Sequence, residues 1–123
     1  MLSFNTFVPH YGLIAANLKG SNPQPALRAE YTNQSGRRER IWTVSEYDPL
    51  TQIIDGRWIF EEMDEQGEVT VRREHPLRVR WSFESETRHL LRICGFEVQE
   101  LYSSYQKAPR AYAAGLVWIT RKV

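Results

Sequence analysis

The chain is poor in the residues that usually announce chemistry: one cysteine, Cys94, three histidines and three lysines in 123 residues. A single thiol excludes an internal disulfide and a zinc site built on cysteines. His10, His75 and His89 have no spacing that matches a metal site. The seven glycines, Gly12, Gly20, Gly36, Gly56, Gly67, Gly95 and Gly115, are never closer than eight positions. A dinucleotide or P-loop motif needs clustered glycines so that backbone N–H groups can approach phosphate, so neither is present. Excess charge is also missing: sixteen Lys+Arg against fifteen Asp+Glu leave +1. A free-standing nucleic-acid binder usually carries a larger basic excess, so nucleic acid is not the expected partner. Long apolar runs are absent too. Residues 1–18 are broken by Ser3, Asn5, Thr6, Pro9, His10 and Asn17, which fits neither a signal peptide nor a membrane span. The expected location is cytoplasmic, and the sequon Asn33-Gln34-Ser35 then reads as chance.

What is present is ordinary globular material, 41% apolar and 25% charged, enough for one domain over 1–123. Leu2 to Val8 alternates as a strand and Pro9 stops it; Leu13, Ile14 and Leu18 then recur at helical spacing up to Gly20. This strand–helix unit fills 1–20. The stretch 21–39, with Pro23, Pro25 and Asn33-Gln34-Ser35-Gly36, reads as loop. A three-strand meander is expected over 40–83: Arg40 to Tyr47, Gln52 to Glu62 with Gly56 as a bulge, and Val69 to Trp81, bent or at an edge because of Pro76. Asp48-Pro49 and Asp64-Glu65-Gln66-Gly67 are its turns. The last part, 84–123, holds a helix from Ser85 to Cys94 and two strands, Phe96 to Tyr105 and Leu116 to Lys122, joined by a loop at 106–114. Gly95 fits the left-handed position that ends a helix, with Phe96 folding back on Leu91. The fold class is therefore α+β: an antiparallel meander, two main helices and a C-terminal antiparallel strand pair.

Several side chains have two readings. His10 follows a strand end, where α/β proteins place ligands, or is a capping residue. His89 is a ligand or a partly exposed helix residue. Cys94, on the face with Leu90 and Leu91, reads as a buried, inert thiol. Arg78 and Arg80 share one strand face and could grip a carboxylate or phosphate, or could pair across strands with Glu61 or Glu62. Arg37-Arg38-Glu39-Arg40 and Arg72-Arg73-Glu74 could stack single-stranded bases with the tryptophans, or form a solvated face.

The C-terminal third carries a resemblance. Arg80-Trp81-Ser82-Phe83, Glu86, Leu90-Leu91, Cys94-Gly95-Phe96-Glu97-Val98, Leu101-Tyr102 and Leu116-Val117-Trp118-Ile119-Thr120-Arg121-Lys122 resemble the end of class I S-adenosylmethionine-dependent methyltransferases. Glu84 replaces the usual Thr or Ser before the helix, and Cys94 the usual Ala. Phe4-Asn5-Thr6-Phe7-Val8-Pro9 looks like that family's fifth strand. The segment with Tyr47-Asp48-Pro49-Leu50-Thr51-Gln52 resembles the insertion that covers the acceptor. The resemblance implies the back half of a Rossmann-like methyltransferase fold, without the glycine-rich loop or the ribose-holding acid.

Several expectations follow from it. The chain is the C-terminal, acceptor-side portion of such an enzyme, an excised fragment or a truncated reading frame, inactive alone. S-adenosylmethionine is implied for the complete enzyme only; this chain holds no catalytic, cofactor-binding or metal residues. A small-molecule acceptor would meet His10 and Tyr11 after the first strand and Trp42, Arg78 and Arg80 on the meander. The first strand would lie beside the last, with its other edge bare. The partner is then a second copy in a homodimer or a separate N-terminal cofactor-binding half. The alternative is a stand-alone dimeric ligand-binding or assembly module built on this half-fold.

Overall fold

The computed structural model describes residues 1–109 and 115–123. In chain order the elements are β1 (Leu2–Phe7), α1 (Tyr11–Ala16), β2 (Ala26–Thr32), β3 (Arg38–Asp48), β4 (Ile53–Met63), β5 (Val69–Arg80), α2 (Glu84–Ile93), β6 (Phe96–Tyr102) and β7 (Gly115–Lys122). Each pairing between these strands is antiparallel, so the described residues are α+β with two helices, as the sequence implied. The strands form two sheets, ordered β1-β7-β6 and β2-β3-β4-β5. Contacts group the chain into two compact units, Met1–Leu13 with Trp81–Val123, and Ile14–Arg80.

In the first unit β7 is the central strand, and β1 lies beside it at the sheet's edge. Leu91 of α2 meets Leu116 and Trp118 of β7, and Phe4, Val8, Phe96, Val98 and Leu101 close around them. Trp118 is fully buried. Its ring stacks on Phe4 at 6.1 Å and its Nε1–H donates to Thr6 Oγ1 at 2.9 Å, so the one polar atom of a large apolar group is satisfied. Burial of a side chain this size contributes on the order of 3 kcal/mol.

Helix α2 starts one residue before the expected Ser85. Glu84 and Glu86 occupy its first turn, where the helix dipole favours acids, and Arg88 Nε reaches back to Glu84 at 3.1 Å. It ends as expected: Gly95 has φ +82°, and Cys94 N–H and Gly95 N–H donate to the carbonyls of Leu90 and Arg92. Lys122 Nζ adds a bond to the Cys94 carbonyl at 3.0 Å. The expected inward face is narrower than Leu90, Leu91 and Cys94. Thr87 and Leu91 are its buried residues; Leu90 is 60% exposed, and Cys94 is an exposed thiol rather than a buried one. The reason is position. Cys94 is the C-cap, where the backbone leaves the helical path before its side chain can reach the sheet.

In the second unit the meander has four strands, not three. Ala26–Thr32, expected as loop, forms β2 and pairs with β3 through a bulge between Leu27 and Ala29. Asn33 makes the turn: its Oδ1 accepts from Ser35 N–H at 3.0 Å and Arg37 N–H at 3.1 Å, and Gly36 takes φ +79°. Asp64 does the same between β4 and β5, accepting from Gln66 and Glu68 N–H, both at 2.9 Å. Gly56 is not a bulge; it stands in unbroken register between Ser45 and Leu77, and the β4–β5 shift falls at Glu62/Met63. Pro76 sits on β5, an edge strand, as its missing N–H requires. Buried Glu39 is held by Arg73 Nη2 at 3.4 Å and Asn33 Nδ2 at 3.5 Å. Partial desolvation, then its hydrogen bond to Glu39, raise the hydroxyl of the exposed Tyr31 above its ordinary value. Strand β6 stops at Tyr102 rather than Tyr105 because Ser103 N–H and Lys107 N–H close turns on Ala108 and Ser104. The expected loop over 106–114 lies, from 110 onward, outside the described residues.

Candidate functional site

Register places the charged side chains of the second unit. Glu46 of β3, Asp55 of β4 and Arg78 of β5 stand opposite one another; so do Asp48, Ile53 and Arg80, and so do Val44, Arg57 and Pro76. Residues opposed in antiparallel strands share a face. On that face lies a cleft of about 400 Å³, whose other side is the segment after α1 with Lys19, Asn22 and Pro23.

That segment is tied to the end of β3. Tyr47 N–H donates to the Asn17 carbonyl at 2.8 Å, and Lys19 N–H donates to the Tyr47 carbonyl at 2.9 Å. Glu46 Oε2 accepts from Gly20 N–H at 3.2 Å, and Lys19 Nζ lies 3.8 Å from Asp48 Oδ2. Burial pushes the Asp48 carboxyl upward, but the N–H of Leu50, the hydroxyl and N–H of Thr51, and the Lys19 charge outweigh it and hold the group below its usual value. Across the cleft, Arg57 Nε faces Glu74 Oε2 at 3.7 Å. Asp55 and Arg78 remain, with no ion pair to either among the described residues. Among the described residues the lining is acidic, basic, hydroxyl and aliphatic side chains, which suit ion pairing and hydrogen bonding.

The five residues singled out from the sequence divide between the two units, His10 and Tyr11 in the first and Trp42, Arg78 and Arg80 in the second. Arg78 lines the cleft. Arg80 shares its strand face and lies 3.5 Å from Gln52 Oε1. Trp42 stands farther along β3, its Nε1–H donating to Glu61 Oε1 at 2.6 Å under the Arg40 guanidinium. His10 and Tyr11 belong to the first unit. His10 Nδ1 accepts from Gly12 N–H at 3.0 Å, the capping alternative, and Tyr11 stacks on Phe83 at 5.7 Å. Nor do Glu61 and Glu62 pair with Arg78 and Arg80. The register sets Glu61 opposite Arg40 and Arg72, and Arg37 Nε lies 3.5 Å from Glu62. His89 is exposed and lines a groove of about 730 Å³ between α2 and β6, where Arg88 is already engaged by Glu84 and the Trp118 ring.

The residues that sequence reasoning missed are Lys19, Glu46, Asp48 and Asp55. The signal was available in part: Val44, Glu46 and Asp48 alternate into a turn, and Ile53, Asp55 and Arg57 alternate out of it. Folding a hairpin about that turn opposes the two sets.

No protein-family model matches this chain, and neither does any curated protein. Solved structures do. The CcbJ methyltransferase from Streptomyces caelestis superposes with a TM-score of 0.65 at 16% identity, over 98% of this chain and 45% of that one. An S-adenosylmethionine-dependent methyltransferase from Clostridium acetobutylicum gives 0.63 at 10% identity, over 98% of this chain and 44% of that one. The likeness is one of fold. This chain spans less than half the length of either neighbour. Among the described residues no group of three or more His, Cys, Asp or Glu could hold a metal, and no helix is long and apolar enough to cross a membrane.

Proposed function

We propose that this chain is the C-terminal, acceptor-side portion of an S-adenosylmethionine-dependent methyltransferase, inactive alone, in which the cofactor is held by a separate N-terminal half. The observation that carries the reading is the sheet order β1-β7-β6. The last strand runs antiparallel between the first strand and β6, the arrangement expected for the back half of a Rossmann-like methyltransferase fold. The likeness to two methyltransferases over 98% of this chain supports it. So does the scatter of the glycines, which leaves no loop to cradle the cofactor's phosphate-free but equally backbone-dependent ribose and methionine ends.

In this reading the four-stranded sheet covers a small-molecule acceptor. His10, Tyr11, Trp42, Arg78 and Arg80 are proposed acceptor-side residues; of these, Arg78 has the best-supported place because it lines a cleft. The chain contributes recognition of the acceptor, and methyl transfer requires the other half. Calorimetry with S-adenosylhomocysteine tests this. The chain alone should give no heat of binding, and the chain combined with its cofactor-binding half should bind at micromolar concentration. Micromolar binding by the chain alone would overturn the reading. Binding by neither sample would favour the stand-alone dimeric module, for which the edge position of β1 offers a pairing surface.

A further inference from the structure

We propose that the cleft over Glu46, Asp55 and Arg78 binds a small zwitterion of the α-amino-acid class, its ammonium held by Asp55 with Glu46 and its carboxylate by Arg78. The inference stands on this cleft alone and holds whether or not the chain serves a methyltransferase.

Charge pairing inside the cleft selects the ligand. Lys19 is occupied by Asp48 at 3.8 Å, and Arg57 by Glu74 at 3.7 Å. One Glu46 oxygen takes the Gly20 N–H. Left over are two carboxylates, Asp55 and the second oxygen of Glu46, and one cation, Arg78; the register sets Asp55 directly opposite both of the others. Cross-strand neighbours have Cβ atoms about 5 Å apart, close enough to pair. Asp55 and Arg78 form no ion pair among the described residues, and both line the opening instead.

The same arrangement excludes simpler ligands. A lone anion drawn to Arg78 would also meet Asp55, Glu46 and Asp48. A lone cation drawn to Asp55 would meet Arg78, Arg57 and Lys19. A molecule carrying both charges at short separation meets an opposite charge at each end. The guanidinium offers a planar fork that matches a carboxylate, whereas the ammonium needs only clustered oxygens. A cleft of about 400 Å³ has room for an amino acid with a modest side chain. Val44, Ile53 and Pro23 supply apolar wall for that side chain. Because Asp55 and Arg78 are exposed, each contact is screened, and the expected affinity is roughly millimolar.

The test is an amide NMR titration of the full chain with glycine and with L-leucine, against sodium acetate and methylammonium chloride at matched ionic strength. Both zwitterions should shift the amides of Ser45, Gly56 and Arg57 saturably, and each single-charge control should bind about tenfold more weakly or worse. Arg78→Gln and Asp55→Asn should each weaken zwitterion binding about tenfold, with amide spectra that stay dispersed. If Arg78→Gln fails to fold, Arg78→Lys takes its place and should bind more weakly because the fork is lost. Acetate binding as tightly as glycine, variants that bind unchanged, or no saturable shift at tens of millimolar would each overturn the proposal. None of these outcomes depends on whether S-adenosylhomocysteine binds.

Discussion

Gly56 and Gly95 are both constrained to be glycine, for reasons that differ in size. A Cβ on Gly56 would lie 2.1 Å from the Val44 carbonyl oxygen and 2.8 Å from Ser45 Cα, both backbone atoms of the paired strand. Neither can move without parting β3 from β4, so Gly56→Ala should cost about 3 kcal/mol. A Cβ on Gly95 would meet only the flexible end of Lys122, 3.2 Å away, but would be strained by φ +82°. Gly95→Ala should cost about 1 kcal/mol. Urea unfolding of the two variants should rank them in that order, and the reverse order would mean that the β3–β4 register differs. A second residue-scale outcome concerns Tyr47, which is 7% exposed. Burial raises its hydroxyl above the ordinary value, against a smaller opposing effect of Arg28. A folded-state value above the unfolded one gives stability that is complete below about pH 10 and lost as pH rises through the folded value. Tyr47→Phe should therefore lose less stability than the parent chain as pH rises above about 10, measured as the shift in urea midpoint.

Among the elements, most strands and both helices were legible, and the exceptions have physical causes. The hairpins around Asp48 and Asp64 advertise their turns, because an Asp side chain can bond the backbone two residues on. Strand β2 was masked by its neighbours, Pro25 before it and Asn33-Gln34-Ser35-Gly36 after it, although Leu27, Ala29 and Tyr31 do alternate with Arg28 and Glu30. All seven of its residues are exposed, so no buried stripe strengthened the signal. Its stability comes from pairing with β3 and from the Asn33 turn. Asn33→Ala should free β2 selectively at a cost of about 1 kcal/mol, seen as faster amide exchange over residues 26–32 than over β4. Uniform exchange across the sheet would show that the turn does not hold β2. The cleft was less legible than the strands, for a related reason. Arg78 can be read from the period of its own strand, but Asp55 joins it only through a register that two separate turns define.

At the scale of the whole molecule, assembly turns on the outer edge of β1. The strand lies at the margin of its sheet, paired with β7 on one side. No charged side chain occurs between Met1 and Leu18 to discourage a further strand, and Leu2 and Phe7 are 42% and 47% exposed. Such an edge tends to pair. In the absence of a cofactor-binding half, a second copy is the readiest partner, because two-fold closure lets one patch serve both subunits. The chain alone should therefore be dimeric at high micromolar concentration by light scattering. Asn5→Lys, which places a charge in the middle of β1, should shift the sample toward monomer while leaving the thermal midpoint within a few degrees of the parent. The proposed function adds a stricter condition. One edge cannot serve two partners, so adding the cofactor-binding half should dissolve the homodimer into a one-to-one complex. A well-folded monomer of the parent chain at that concentration would remove the edge-pairing argument. A dimer that persists beside the bound half would place the self-association on another surface.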